Sequence, residues 1–251
     1  MRGEGGVSLF LKCISSGSKG NAYVLQGKDE ILLLECGKPF IEVKKAIDWQ
    51  ILKIKGCLLT HGHLDHSKNT KDFLKAGIPV FTNEETKQTI GDIPGAQFYS
   101  VSEFKAVQIG GFKCIPFYVP HNGTPCYAWL IEHLEMGRLL FATDFEYIPY
   151  NFQKQQIQHF LIEANYQEQF IDKDIPNYEH KLLGHASFET CIGAIKANQS
   201  PNLRSVIMCH LGAGSSAGNY FINEMQKVTG RNINVDCAAP GLIVEVNKEP
   251  F

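Results

Sequence analysis

Thr60-His61-Gly62-His63-Leu64-Asp65-His66 is the stretch on which the reading of this chain turns. Three imidazoles and one carboxylate follow the apolar run Cys57-Leu58-Leu59 and precede Ser67. Gly56–Thr60 reads as a short strand. From Ser67, as N-cap, a helix is expected through about Lys75, ended by Gly77. The motif therefore falls in a strand-to-helix loop, where side chains can converge. Neutral imidazole and carboxylate are favoured zinc ligands and also serve manganese and iron. Histidines two apart on extended chain project to one side, so His61 and His63 can grip one ion. Asp65 and His66, further along, can turn to a second. Such a density of donors at this spacing is rarely the accident of a solvated loop.

Upstream, Ser8–Ile14, Ala22–Gln26 and Ile31–Cys36 read as strands, separated by the turn-rich stretches Ser15–Asn21 and Gly27–Glu30. A helix is expected from Ile41 to Trp49, with Val43, Ala46 and Ile47 on one face. Downstream, Ile78–Thr82, Ala106–Ile109, Phe112–Tyr118, Tyr127–His133 and Arg138–Thr143 read as strands, with Gly110-Gly111 as a hairpin turn. His159–Glu163, Arg204–Cys209 and Leu242–Val246 are further strands, and Ser187–Asn198 and Gly218–Val228 are helices. Strand clusters alternating with helices in each half predict two packed sheets with helices outside. The expected fold class is α/β, an αββα sandwich, in one domain spanning residues 1–251.

Composition sets outer limits. The net charge is −2, so no global positive field draws in long duplex DNA, although a local basic rim is compatible with it. No apolar run approaches the ~18–20 residues of a membrane span. The start, Met1 to Gly6, lacks the apolar core of a signal peptide. The eight cysteines are scattered with no C-x-x-C pair, which reads as free buried thiols in a reducing, cytoplasmic setting.

The motif and its surroundings resemble the metallo-β-lactamase superfamily over essentially the full chain. That resemblance implies further ligands, each at a strand end. His121, in Val119-Pro120-His121-Asn122-Gly123, looks like the third histidine of the first metal. Asp144, after Leu140-Phe141-Ala142-Thr143, looks like the bridging carboxylate, and His210, after Val206-Ile207-Met208-Cys209, like the last histidine of the second metal. The implied centre has His61, His63 and His121 on one ion, Asp65, His66 and His210 on the other, and Asp144 with a hydroxide between them. Zinc or manganese is expected, and Asp65 is counted with the catalytic groups as well as the ligands. Where the family usually has aspartate at the end of the third strand, this chain has Glu35, expected to orient a metal histidine by hydrogen bond.

Two segments narrow the branch. Leu161-Ile162-Glu163-Ala164-Asn165-Tyr166 and Gly184-His185-Ala186-Ser187 resemble the paired glutamate and histidine segments of the ribonuclease Z branch. There the histidine, steadied by the glutamate, faces the leaving oxygen of a phosphodiester. An imidazole polarised by a carboxylate is a suitable acid for a departing alkoxide. Ile14-Ser15-Ser16-Gly17-Ser18-Lys19-Gly20-Asn21 resembles the first turn of the YycJ/WalJ-like exonuclease group, and Ser18 and Lys19 there could hold a phosphate. Ser215 and Ser216, in the Gly/Ser loop after His210, could do the same. His133, His159 and His180 match no motif, and Lys68, Lys71 and Lys75 read as a solvated helix face.

The expected function is a dinuclear metal-dependent phosphodiesterase, foremost a YycJ-like DNA exonuclease with a nucleic acid or nucleotide substrate. Opening of cyclic nucleotides is a rival reading, favoured slightly by the near-neutral charge. A thioesterase or lactonase on the same metals is a third, against which the Glu163/His185 pair argues. The expected partners are the nucleic acid or nucleotide substrate and no membrane, and a homo-oligomer is compatible with the sequence.

Overall fold

The structure is a computed structural model that describes residues 8–171, 178–212 and 218–248. Period-two patterning builds its layers. In the strand Ile31–Leu34, Leu32 and Leu34 face one apolar cluster, and Ile31 and Leu33 face another. In His159–Glu163, Leu161 joins the first cluster while Phe160 and Ile162 join a third. Strands apolar on both faces belong to sheets that are covered on both sides.

The first half runs β1 (Phe10–Ser15), β2 (Ala22–Gln26), β3 (Ile31–Leu34), α1 (Phe40–Ala46), β4 (Ile54–Leu58), α2 (Leu64–Ser67), α3 (Thr70–Lys75), β5 (Val80–Thr82), α4 (Glu84–Ile90) and β6 (Phe98–Ser100). The second runs β7 (Val107–Ile109), β8 (Phe112–Val119), β9 (Cys126–His133), β10 (Gly137–Ala142), β11 (His159–Glu163), α5 (Tyr178–Gly184), α6 (Phe188–Asn198), β12 (Ser205–Cys209), α7 (Gly218–Thr229), β13 (Asn234–Cys237) and β14 (Ile243–Glu245). One seven-stranded sheet has the order β14-β1-β2-β3-β4-β5-β6, and the other β13-β12-β11-β10-β9-β8-β7. The central core lies between them, with Leu25, Leu34 and Leu58 from one sheet meeting Trp129, Phe141 and Leu161 from the other. Val43 of α1 and Phe73 of α3 cover the outer face of the first sheet, and Ile195 of α6 and Phe221 of α7 that of the second. Removing each such side chain from water stabilises the fold by about 1.5–3 kcal/mol. This is the expected αββα sandwich.

Three expectations are corrected. The helix read from Ile41 to Trp49 ends at Ala46, because Asp48 and Trp49 both take positive φ, 51° and 61°. Ser67 does not cap a helix running to Lys75. It is the last residue of α2, and its hydroxyl donates to the Gly62 carbonyl instead, folding the motif back on itself. The second helix, α3, starts afresh after Asn69. The sequence reading also leaves β13 unassigned, since Asn234-Val235-Asp236-Cys237 buries only Val235 fully.

Strand direction positions the site. β3, β4 and β5 are mutually parallel, as are β10, β11 and β12. β8 pairs antiparallel with β9, which pairs antiparallel with β10, so β8 runs with the second parallel set. The carboxyl ends of these strands lead into, or finish on, Glu35, His61, His121, Asp144, Glu163 and His210. Carboxyl ends of parallel strands are where α/β folds gather binding groups.

Candidate metal centre

Glu35, Asp144 and His210 each sit just past a strand with positive φ, 69°, 53° and 52°. A non-glycine residue in this left-handed region costs about 1–3 kcal/mol and persists where its surroundings over-determine it. Here the turn points three strand-end side chains into one buried cluster.

Two donor sets result. His61, His63, His121 and Asp144 offer ligand atoms all within 4.8 Å of one another, and so do Asp65, His66, Asp144 and His210. These are the groupings read from the sequence, with Asp144 common to both. A third set joins Asp144, Glu163, His185 and His210 within the same limit.

Two ring nitrogens pointing away from the cluster are engaged by the protein. His121 Nδ1 meets the Gly184 carbonyl at 2.5 Å, and His61 Nδ1 lies 2.9 Å from the Thr60 hydroxyl. Such outer partners fix ring orientation in metal sites. Inside the cluster, His121 Nε2 lies 3.0 Å from His63 Nδ1, and Asp144 Oδ2 lies 3.8 Å from His61 Nε2 and 3.3 Å from His66 Nε2. Among the described residues, the buried His61 Nε2 has no hydrogen-bond partner. A buried imidazole nitrogen left without a proton partner, in a ring of other nitrogens and carboxylates, is what a cation site looks like before the cation. The residues fit divalent metal.

Electrostatics differ between the sets. Burial, reinforced by the neighbouring His66, drives His61 well below the usual histidine range, and burial holds His121 at about 4. In the second set burial also opposes charge, but the carboxylates outweigh it. Asp144 and Glu35 hold His66 well above its usual value, and Asp144 with Asp65 raises His210 to about 10. Asp65 and Asp144 are pushed low by the facing histidines against the effect of burial.

Glu35 is buried, with Oε1 3.5 Å from His66 Nδ1 and Oε2 accepting from the Thr60 amide at 3.4 Å. Glu163 is buried too, and its Oε1 lies 2.8 Å from both His185 Nδ1 and His210 Nδ1. His185 is half-buried at the rim of this pair. Ser18 and Lys19 are exposed, and Lys68 donates to the Lys19 carbonyl at 3.2 Å. Ser215 and Ser216 lie outside the described residues. His133 and His159 are engaged away from the site, by Glu30 and by Ser205.

Several site residues were not singled out by the sequence reading. Asn21 Nδ2 lies 3.0 Å from His66 Nε2 and 3.3 Å from Asp65 Oδ2, while its Oδ1 accepts from the Gly17 amide. Ser16 accepts from the His210 amide at 2.7 Å. The Ser/Gly-rich first turn is thus a clamp on the second donor set. Asn165 donates to the His210 carbonyl at 2.8 Å. Asn21 closes one quoted motif and Asn165 follows Glu163 by two residues, so adjacency to a motif is the signal that could have found them.

The fold and centre define a class: an αββα sandwich carrying histidine and aspartate donor sets at the carboxyl ends of its strands. The metallo-β-lactamase superfamily model matches residues 16–155, more than half of the chain, and the chain belongs to that superfamily. Over 150 residues it is 27% identical to the exodeoxyribonuclease YycJ of Bacillus anthracis, a stretch making up 57% of this chain and 56% of that protein. The match therefore spans about half the length of that relative. Among solved structures, the metallo-β-lactamase fold protein YhfI from Bacillus subtilis superposes with a TM-score of 0.73 at 17% identity, over 95% of this chain and 99% of that one. The short form of human tRNase Z gives 0.65 at 13% identity, over 94% and 99%. A diphosphatase of the PhnP family gives 0.64 at 16%, over 94% and 97%. These three share the fold.

Proposed function

We propose that the chain, read as one domain, is a metal-dependent phosphodiesterase with His61, His63, His121, Asp65, His66, His210 and Asp144 as its ligands, and that it acts as a nuclease on DNA ends. The observation that carries this is the His185–Glu163 pair, 2.8 Å apart, set against the donor sets through Asp144. A thiolate leaves a thioester without a proton, whereas departure of a sugar alkoxide needs one. Bound in the two sets, divalent cations supply the Lewis acidity that activates water near neutral pH and spreads charge at an attacked phosphorus. The chain's own groups do the rest. Glu163 fixes Nδ1 of His185, so that its other ring nitrogen is the atom from which a proton passes to the leaving oxygen. Glu35 faces Nδ1 of His66 at 3.5 Å, and Thr60 holds His61. Ser18 and Lys19, on the exposed turn beside Asp65, take a phosphate of the chain being cut. The similarity to an exodeoxyribonuclease supports DNA as the substrate. Cysteines without disulfides among the described residues support a cytoplasmic setting, and no described helix is long and apolar enough to cross a membrane.

The test is a screen of protein reconstituted with zinc or manganese. It compares bis-p-nitrophenyl phosphate, end-labelled DNA and RNA, cyclic nucleotides and a thioester. Phosphodiesters should be cleaved, with DNA ends foremost. Turnover of the thioester orders of magnitude above every phosphodiester would overturn the reading, and cleavage of cyclic nucleotides alone would replace the nuclease by a small-nucleotide enzyme.

A further inference from the structure

A cleft of about 610 Å³ opens beside His121 and Thr124. Its size falls within the ≈ 300–1,000 Å³ of small-molecule sites. His121 of the first donor set lines it, and so does Thr124, whose Oγ1 lies 3.4 Å from His63 Nε2. The cleft therefore lies beside the first donor set.

The walls have an unusual balance. Tyr147 and Tyr150 supply aromatic surface, and Glu85 and Glu146 supply the charge; no lysine or arginine lines the cleft among the described residues. Tyr150 is held by a hydrogen bond to Glu103 at 3.0 Å and by edge contact with Phe117. Tyr147 is 52% exposed, a large ring kept at the mouth. Two carboxylates repel a second phosphate, and an acyl chain offers them no donor; Glu85 accepts from the Tyr118 hydroxyl at 2.9 Å. A flat, uncharged ring with N–H groups on its edge satisfies both kinds of wall. Carboxylates accept from the amino edges of bases, and bases stack on tyrosine.

Resting on the phosphodiesterase reading, we propose that this cleft is a nucleobase subsite, taking the base of the nucleoside esterified at the centre, guanine foremost. The base stacks on Tyr147 and turns its donor edge to Glu85 and Glu146. An acidic cleft that admits one base and rejects the next phosphate makes the enzyme act on a terminal or single nucleotide.

The experiment compares two substrates that release the same p-nitrophenolate, bis-p-nitrophenyl phosphate and the p-nitrophenyl ester of deoxyguanosine 5′-phosphate, on metal-loaded protein. The wild type should favour the nucleotide ester. In Tyr147→Ala the ratio of the two kcat/KM values should fall roughly 5- to 100-fold, the effect of losing one base–aromatic stack, and Tyr147→Phe should keep it. An unchanged ratio in Tyr147→Ala overturns the subsite. If the wild type hydrolyses neither ester, the phosphodiesterase reading fails separately. The subsite is then judged by equilibrium dialysis of deoxyguanosine 5′-monophosphate against 2-deoxyribose 5-phosphate. Tighter binding of the nucleotide, lost in Tyr147→Ala, supports it, and equal binding of the two overturns it.

Discussion

Glu163 serves two imidazoles at once, those of His185 and His210, each at 2.8 Å. Only the first partnership was legible in the sequence, because His185 sits in a segment that resembles a known pair. The second depends on the parallel pairing of β11 with β12, which sets Glu163 beside Cys209, and no local pattern announces that register. The two contacts separate two mutants. His185→Ala should leave metal content near wild type and slow a DNA substrate by roughly 10²–10⁴-fold, the range for losing proton transfer. With a p-nitrophenyl leaving group, which departs without a proton, the loss should be much smaller. Equal losses on both substrates, or a missing ion in the mutant, would make His185 structural or a ligand, the latter as the third donor set allows. Glu163→Gln should slow both substrates and lower occupancy of the second set, because His210 loses its anchor as well. The pH profile follows from the same carboxylate. Burial pulls His185 down, but Glu163 outweighs it and leaves its pKa above the usual value. The acid form therefore persists past about pH 6.5, and turnover of DNA should fall on the alkaline side of that value while turnover of the p-nitrophenyl ester does not follow it.

Among the elements, strands were legible and the joints between them less so. Apolar runs such as Ile31–Leu34 and His159–Glu163 carry their own pattern, and the donor residues at their ends follow from it. The break between α2 and α3 does not, because a helical spacing of polar residues hides a serine that bonds backwards. The clamp on this break is backbone. The Asn21 amide donates to the Asp65 carbonyl at 2.7 Å, and the Cys36 amide to the His66 carbonyl at 2.8 Å. Gly37 lies between them, and a Cβ there would meet the Asp65 carbonyl oxygen at 1.8 Å and the Asn21 nitrogen at 2.5 Å. Backbone on both sides cannot yield as a flexible side chain would. Gly37→Ala should therefore destabilise the fold by about 1–3 kcal/mol, the usual cost of overpacking. It should also displace Asp65 and His66, so the mutant should lose the second ion before the first. Thermal melts and metal analysis would check both; a mutant with wild-type melting and two ions would show that the loop relaxes freely.

Across the molecule, the first sheet carries Glu35 and the His61–His66 loop, and the second carries His121, Asp144, Glu163 and His210. Each donor set draws on both, so an ion in either joins the two sheets, and loading should raise the melting temperature by linkage. The sets are prepared differently for that loading. Ligand imidazoles must be neutral, so metal binding displaces any proton they hold. His61 lies well below the usual range and His121 at about 4, so both are neutral near pH 7. His66 lies well above the usual range and His210 at about 10, so both hold protons there, against Asp144 and its neighbours. The sign is then fixed. Raising the pH strips these protons and strengthens the second set for metal, His210 losing its own at about pH 10, whereas the contribution of His61 and His121 to the first set is nearly flat above neutrality. Neither difference was visible in the sequence, where all four residues are histidines at strand ends or in one loop; burial and the position of Asp144 create it. In a zinc titration of metal-free protein near pH 7, followed by calorimetry in buffers of different ionisation enthalpy, the early phase should release little proton from His61 and His121. The later phase should release one proton from each of His66 and His210. His210→Ala should remove part of that later release. Equal release in both phases, or a second-phase affinity that does not rise with pH, would mean that the two sets are not poised as the carboxylates around Asp144 require.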